Sequence, residues 1–307
     1  MIKLVYSEFS RLFRSKIFYI ALTVSILIPI ISYIDSYRYY LMAFKDLGVS
    51  LSFSFEIDYY LSMNLMIYDG FVSSAFISLF VGKENSNGTI RNKIIVGHTR
   101  SEVYLSYFVV CLVAGIIIQA SNIAVISVFS LVLKAVFKTP ISLQTPLISV
   151  VKTQAIGLFI TAAYTALFLA VSVLISSKAR AVAAAMITAI VIFIVGEAVC
   201  EKVVLTYDAV DIMIEESESD TEGSKNGFSY ENYQKVLEEL RGYGLSGSER
   251  TVFLFLDDFL PYCQVSHFLA EYPELPVRSL RYFFYDVGIT AGITYAGIFM
   301  FRRKDLK

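Results

Sequence analysis

Residues 82–101 read GKENSNGTIRNKIIVGHTRS and separate one long apolar run from another. A polar island that short, rich in Lys, Arg, Gly and Asn, is too small to build a core of its own. It has the size of a loop between two membrane spans, and a soluble partner could grip it. That reading depends on the flanking runs being spans. Of the 307 residues 56% are hydrophobic and only 17% are charged, whereas a soluble domain carries about 25% charge. The charges are also segregated. Residues 103–133 contain no Asp, Glu, Lys or Arg over 31 residues, and residues 153–177 contain none over 25. About 20 apolar residues in helix cross a bilayer core, so each run is long enough. A helix buried in a soluble core rarely runs so far without a charge.

Outward from the island, the sequence predicts an all-α integral membrane protein with six transmembrane helices, at 17–34, 59–81, 106–133, 153–177, 181–200 and 282–301. The leader 1–16 (MIKLVYSEFSRLFRSK) places Ile2, Val5, Phe9 and Phe13 near one helical face, with Lys3, Arg11, Arg14 and Lys16 as its basic residues. It predicts an interfacial amphipathic helix. The run at 17–34 is long enough to remain as an anchor and no small-residue cleavage site follows it, so a cleavable signal peptide is not expected. Orientation follows from Lys and Arg in short loops. The leader has four, the island has Lys83, Arg91, Lys93 and Arg100, the turn at 176–181 has Lys178 and Arg180, and the tail has Arg302, Arg303, Lys304 and Lys307. With six spans all four segments share one side, the cytoplasm, with both termini inside. The three lysines in 134–152 run mildly against the rule. The segment 201–281 then lies outside, mainly helical, with 16 acidic and 6 basic residues over 201–280. Its stretch 215–227 (EESESDTEGSKNG) reads as an acidic loop and 230–241 has helical spacing. Residues 252–259 (VFLFLDDF), Tyr262 and Phe268 are apolar enough to lie at or dip into the membrane surface.

Chemistry of the chain's own is hard to find. Gly82 and Lys83 are followed by Glu84, so no Walker A loop is formed. His98 and His267 fall on opposite sides of the membrane, and neither H-E-x-x-H nor G-x-S-x-G occurs. No catalytic residues, metal ligands or cofactor-binding residues are assigned. The three cysteines form no metal or redox pattern; a Cys200–Cys263 disulfide is open if the outer segment is extracytoplasmic, on weak grounds. Asp69, beside Gly70 and near the middle of the second span, is a candidate for the translocation path, because a carboxylate at that depth costs a few kcal/mol unless it faces protein or water. The alternative is a packing residue bonded to a neighbouring helix. Glu197 and Asp286 sit near outer ends of spans and are most simply interfacial.

The island also resembles the first cytoplasmic loop of ABC-2 type transporter permeases, on Glu84, Gly88, Thr89, Ile90 and Arg91 in a Glu-x-x-x-Gly-Thr-[IL]-[RK] pattern right after the second span. The following basic segment, through Asn92, Lys93, Ile94, Gly97 and Arg100, matches that family's coupling helix. The likeness extends over most of the chain: leader, six spans, short Ser-Ser-Lys-Ala-Arg turn, large outer segment and basic tail. It implies one transmembrane domain over 1–307, with a coupling loop at 82–105, acting in the plasma membrane as the permease subunit of an exporter. It implies as partners a second permease subunit and a separate ATP-binding subunit that holds the ATP and Mg; this chain would be no enzyme. Residue chemistry agrees: Gly88 permits a sharp turn, Thr89 can cap a helix beginning at Ile90, and Arg91, Lys93 and Arg100 offer donors to a partner's carboxylates. Ile94, Ile95 and Val96 add an apolar contact.

Substrate class is less constrained. The outer segment exceeds the short hairpin of minimal family members, and its acidity suits a cationic peptide or bacteriocin, with a hydrophobic compound as second choice; the readier reading of the segment is a lid or spacer without ligand specificity. The rival reading is an ATP-independent receptor or immunity protein whose outer segment binds the ligand and whose basic loop lies on membrane lipid. A membrane-embedded enzyme is a third, disfavoured by the lack of clustered catalytic residues. No nucleic-acid partner is expected.

Overall fold

A computed structural model of the chain describes residues 1–47, 68–137, 147–204, 247–269 and 279–304. They form α1 (Ile2–Phe13), α2 (Lys16–Leu47), a π-helical turn (Tyr68–Val72) leading into α3 (Ser73–Ser86), α4 (Thr89–Ile95), α5 (Arg100–Phe137) and α6 (Leu147–Leu174), then α7 (Lys178–Val204), α8 (Gly247–Phe259), α9 (Pro261–Leu269) and α10 (Ser279–Arg303). No strand occurs among the described residues. An apolar chain in hydrocarbon has no water for its backbone, and a helix satisfies every interior N–H and C=O within itself.

Among the described residues, four helical stretches are long and apolar enough to cross a membrane: Arg100–Val128, Gln154–Leu174, Lys178–Val203 and Leu280–Arg303. They hold the spans predicted at 106–133, 153–177, 181–200 and 282–301, each extending past its predicted ends or differing from them by a few residues. The first predicted span falls in α2, which passes the same measure together with α1 across a 61° bend. The second lies partly outside the described residues; its described part is the π-turn and α3, which continues to Ser86. The predicted helix at 230–241 and the acidic loop at 215–227 also lie outside them.

α6 is the central helix. In its most apolar window 72% is buried, against 22% in α7 and 11% in α10. α10 packs along α6, α3 lies against both α6 and α7, and α1 and α2 pack on α5. Between them Phe76, Phe80, Tyr104, Tyr107, Ile118 and Phe168 form the core. Hydroxyls within the spans return to their own helix, as Thr161 Oγ1 does to Gly157 O (2.8 Å), Ser172 Oγ to Phe168 O (2.6 Å) and Thr188 Oγ1 to Ala184 O (2.8 Å). A polar bond also crosses between helices, from Gln119 Nε2 of α5 to Gln154 Oε1 of α6 at 3.0 Å. Away from this core, Ile187, Ile190, Val191 and Ile194 of α7 and Tyr295 and Phe299 of α10 are exposed, a surface suited to lipid or an apolar partner.

At the other end of α7, α8 and α9 fold back as a hairpin. Tyr262 drives the contact: its ring covers Gly196, where an added Cβ would lie 2.3 Å from Tyr262 Cδ1. Its hydroxyl donates to Glu197 Oε2 at 2.6 Å. Cys200 of α7 and Cys263 of α9 meet where the hairpin packs on α7, as free thiols.

The leader forms the expected helix with a different buried stripe. Leu4, Glu8 and Leu12 are buried, while Ile2 and Phe13, assigned to the apolar face, are exposed along with Tyr6. The stripe is rotated by roughly a quarter-turn because α1 packs on α5, with Glu8 paired to Lys93 of α4 and to Arg11 of α1 itself.

Candidate functional site

The island is built around Gly88. Its φ of 69° and ψ of 9° place it in the left-handed region, which costs a Cβ-bearing residue about 1 kcal/mol or more. In that conformation one residue follows the end of α3, where Asn87 N–H bonds Lys83 O at 3.0 Å, and starts α4, whose Arg91 N–H bonds Gly88 O at 3.1 Å. Thr89 does not cap α4 with its side chain. Its Oγ1 donates back to Glu84 O at 3.1 Å, an orphan carbonyl in the last turn of α3. The next helix carries the cap that spacing could have revealed. Thr99 and Glu102 form a reciprocal box, with Glu102 N–H donating to Thr99 Oγ1 (3.3 Å) and Thr99 N–H to Glu102 Oε2 (3.0 Å).

The inner face of α4 is locked into the bundle. Ile90 is buried, and Lys93 Nζ reaches Glu8 Oε1 of α1, Glu84 Oε2 of α3 and, at 3.0 Å, Tyr107 OH of α5. Tyr107 in turn donates to Glu84 Oε2. Arg11 completes the group, ion-paired to Glu84 and, at 2.8 Å, to Glu8. Its guanidinium lies 3.9 Å from the centroid of Phe80, stacked on the ring. Two carboxylates and two cations make the cluster neutral, which is the condition for burying Glu8 and Glu84. Burial lowers Lys93 from 10.5 to about 8, against the opposing pull of Glu8.

Three of the predicted partner contacts are therefore used inside the chain. Glu84 and Lys93 belong to the buried cluster. Arg100 points along the bundle, donating from Nη1 to Phe301 O (3.1 Å), Arg302 O (2.7 Å) and Lys304 O (2.6 Å). The last carbonyls of α10 have no intrahelical donor, and a cation there suits the helix dipole. Asn85, unremarked in the sequence, does the same for α6, its Nδ2 bonding Ser172 O, Val173 O and Ile175 O at 3.4, 3.1 and 2.7 Å. Lys304 Nζ adds a bond to Val173 O at 2.8 Å.

What remains outward is a compact surface. Arg91 and Asn92 are exposed, and Arg91 has no ion-pair partner among the described residues. Ile95 and Val96 are 71% and 80% exposed, while Ile94 is only half-buried. Gly97, at φ 108°, ends the surface. Beside it a cavity of about 620 Å³ opens between α1 and α3, lined in part by Ser10, Arg14, Lys16, Lys83 and Asn87.

These bonds join leader to island, island to the turn after α6, and island to tail. The four basic segments thus sit together at one end of the bundle. Asp69 lies in the π-turn before α3, and its side chain falls outside the described ones. Compared with known proteins, the chain matches no curated protein and no solved structure. A family profile described as "ABC-2 family transporter protein" matches residues 2–306.

Proposed function

We propose, since this chain belongs to the ABC-2 family of transporter proteins, that it is the permease subunit of an ABC exporter, coupled through α4 to a separate ATP-binding subunit. Family membership and the apolar helices make it a multi-pass membrane protein. The observation that carries the coupling role is the two-sidedness of α4. Arg91, Asn92, Ile95 and Val96 face out, while Ile90 and Lys93 are fastened to α1, α3 and α5. A short helix held this way transmits a push on its outer face to three helices at once, since packed elements move as units rather than deform. ATP and Mg are held by the partner. The buried cluster supplies rigidity and the exposed surface supplies contact.

In this reading the end bearing the basic segments is cytoplasmic, both termini lie inside, and six spans cross the membrane. A second permease subunit completes the path, and Asp69 lines it. The exposed face of α1 with Ile2, Tyr6 and Phe13 rests in the lipid interface. The cargo is a cationic peptide of bacteriocin type, met by the acidic segment 201–281, with a hydrophobic compound as second choice.

The test is purification of the tagged full chain from its native host in mild detergent, with stoichiometric partners identified by mass spectrometry. An ATPase carrying a Walker A loop should accompany the wild type. Its recovery should fall about tenfold or more in Arg91→Glu, the loss corresponding to about 1.4 kcal/mol or more. A chain that purifies alone in several detergents refutes the proposal and favours a receptor or immunity protein working without ATP.

A further inference from the structure

At the end of α7 opposite the island, three helices bring sulfur and oxygen ligands together. Cys200 is near the end of α7, Asp257 near the end of α8 and Cys263 in the first turn of α9. One ligand atom from each lies within 4.8 Å of the other two. Asp257 and Cys263 are buried and Cys200 is half-buried. Both cysteines are free thiols, and Ser266 Oγ lies 3.1 Å from Cys200 Sγ. Beside them Asp258 pairs with Arg281 at 3.4 Å, and Glu197 accepts from Tyr262 OH.

We propose that Cys200, Asp257 and Cys263 form a binding site for a thiophilic divalent cation of the zinc class, which fastens the α8–α9 hairpin to the end of α7. As ligands the two cysteines lose their protons, so the site carries three negative charges; buried together, these are favourable only around a cation. Sulfur ligands discriminate against magnesium and calcium, and the carboxylate discriminates against copper(I). Zinc takes tetrahedral sites made from such a donor set, with water in a fourth position that three protein ligands leave open. A disulfide would use two of the three groups; an ion uses all three. The spacing hid this site, because the three ligands come from separate helices and match no short metal motif.

The experiment uses the full chain in detergent, purified under a thiol reductant, stripped with a chelator and titrated with Cd(II). The expected result is one ion per chain, seen as cadmium–thiolate charge-transfer absorption in the ultraviolet and by native mass spectrometry. Cys111→Ser should bind as the wild type does. Cys200→Ser and Cys263→Ser should lose the ion, and Asp257→Asn should weaken affinity about tenfold or more. No absorption in protein whose thiols are shown to be reduced would overturn the proposal. So would a Cys200–Cys263 disulfide that re-forms in preference to metal binding. Should a cysteine variant fail to fold, Asp257→Asn decides, and wild-type affinity in it refutes the site.

Discussion

Glu84 and Arg91 belong to the same short motif and do opposite things. Glu84 is a buried anchor touched by Arg11, Lys93 and Tyr107, whereas Arg91 is a surface cation. Removing one charge from a buried, paired cluster leaves the others uncompensated, at a cost of about 3 kcal/mol. Glu84→Gln should therefore lower thermal stability in detergent, and Arg91→Glu should leave it unchanged while lowering partner recovery about tenfold or more. Equal melting temperatures for all three proteins would show that the cluster holds nothing together. Lys93 gives the cluster a pH signature. Its folded-state value of about 8 lies below its ordinary 10.5 because of burial. Between those values the unfolded chain holds a proton that the folded chain has released, so this residue's contribution to stability grows as pH rises through that window. The melting temperature of the wild type should rise relative to Lys93→Met from about pH 7 to about pH 10; parallel curves would contradict the assignment.

Helices, as elements, were legible because charge-free runs in a greasy chain admit few other readings. The runs at 103–133 and 153–177 lie almost entirely within α5 and α6. Their ends were not legible, for a physical reason. The bonds that finish them come from other elements: Arg100 finishes α10 and Asn85 finishes α6, and no periodicity records a partner scores of residues away. The same blindness explains Glu8, which the leader's pattern did not single out and which is almost wholly buried. Gly88 was legible because a Gly-Thr turn after a span has a local cause, the positive φ that glycine tolerates best. The α8–α9 hairpin offers a test at this scale. Gly196→Ala places a methyl group against the Tyr262 ring, an overpacking worth about 1–3 kcal/mol. It should loosen the hairpin and speed the labelling of Cys263 by a small thiol reagent; an unchanged rate would mean that the contact does not hold α9 in place.

For the molecule as a whole, the sequence disclosed the family and left hidden how the island is fastened to the helices around it. The island divides into an outward surface of Arg91, Asn92, Ile95 and Val96 and an inward clamp of Ile90, Lys93 and Glu84. That division is the central claim, and site-specific photo-crosslinking in the native membrane tests it most directly. A crosslinker replacing Ile95 or Val96 should capture an ATP-binding subunit carrying a Walker A loop, and one replacing Ile90 should capture none. Capture from Ile90 but not from Ile95 or Val96, or no ATPase from any position, would contradict α4 as the coupling element.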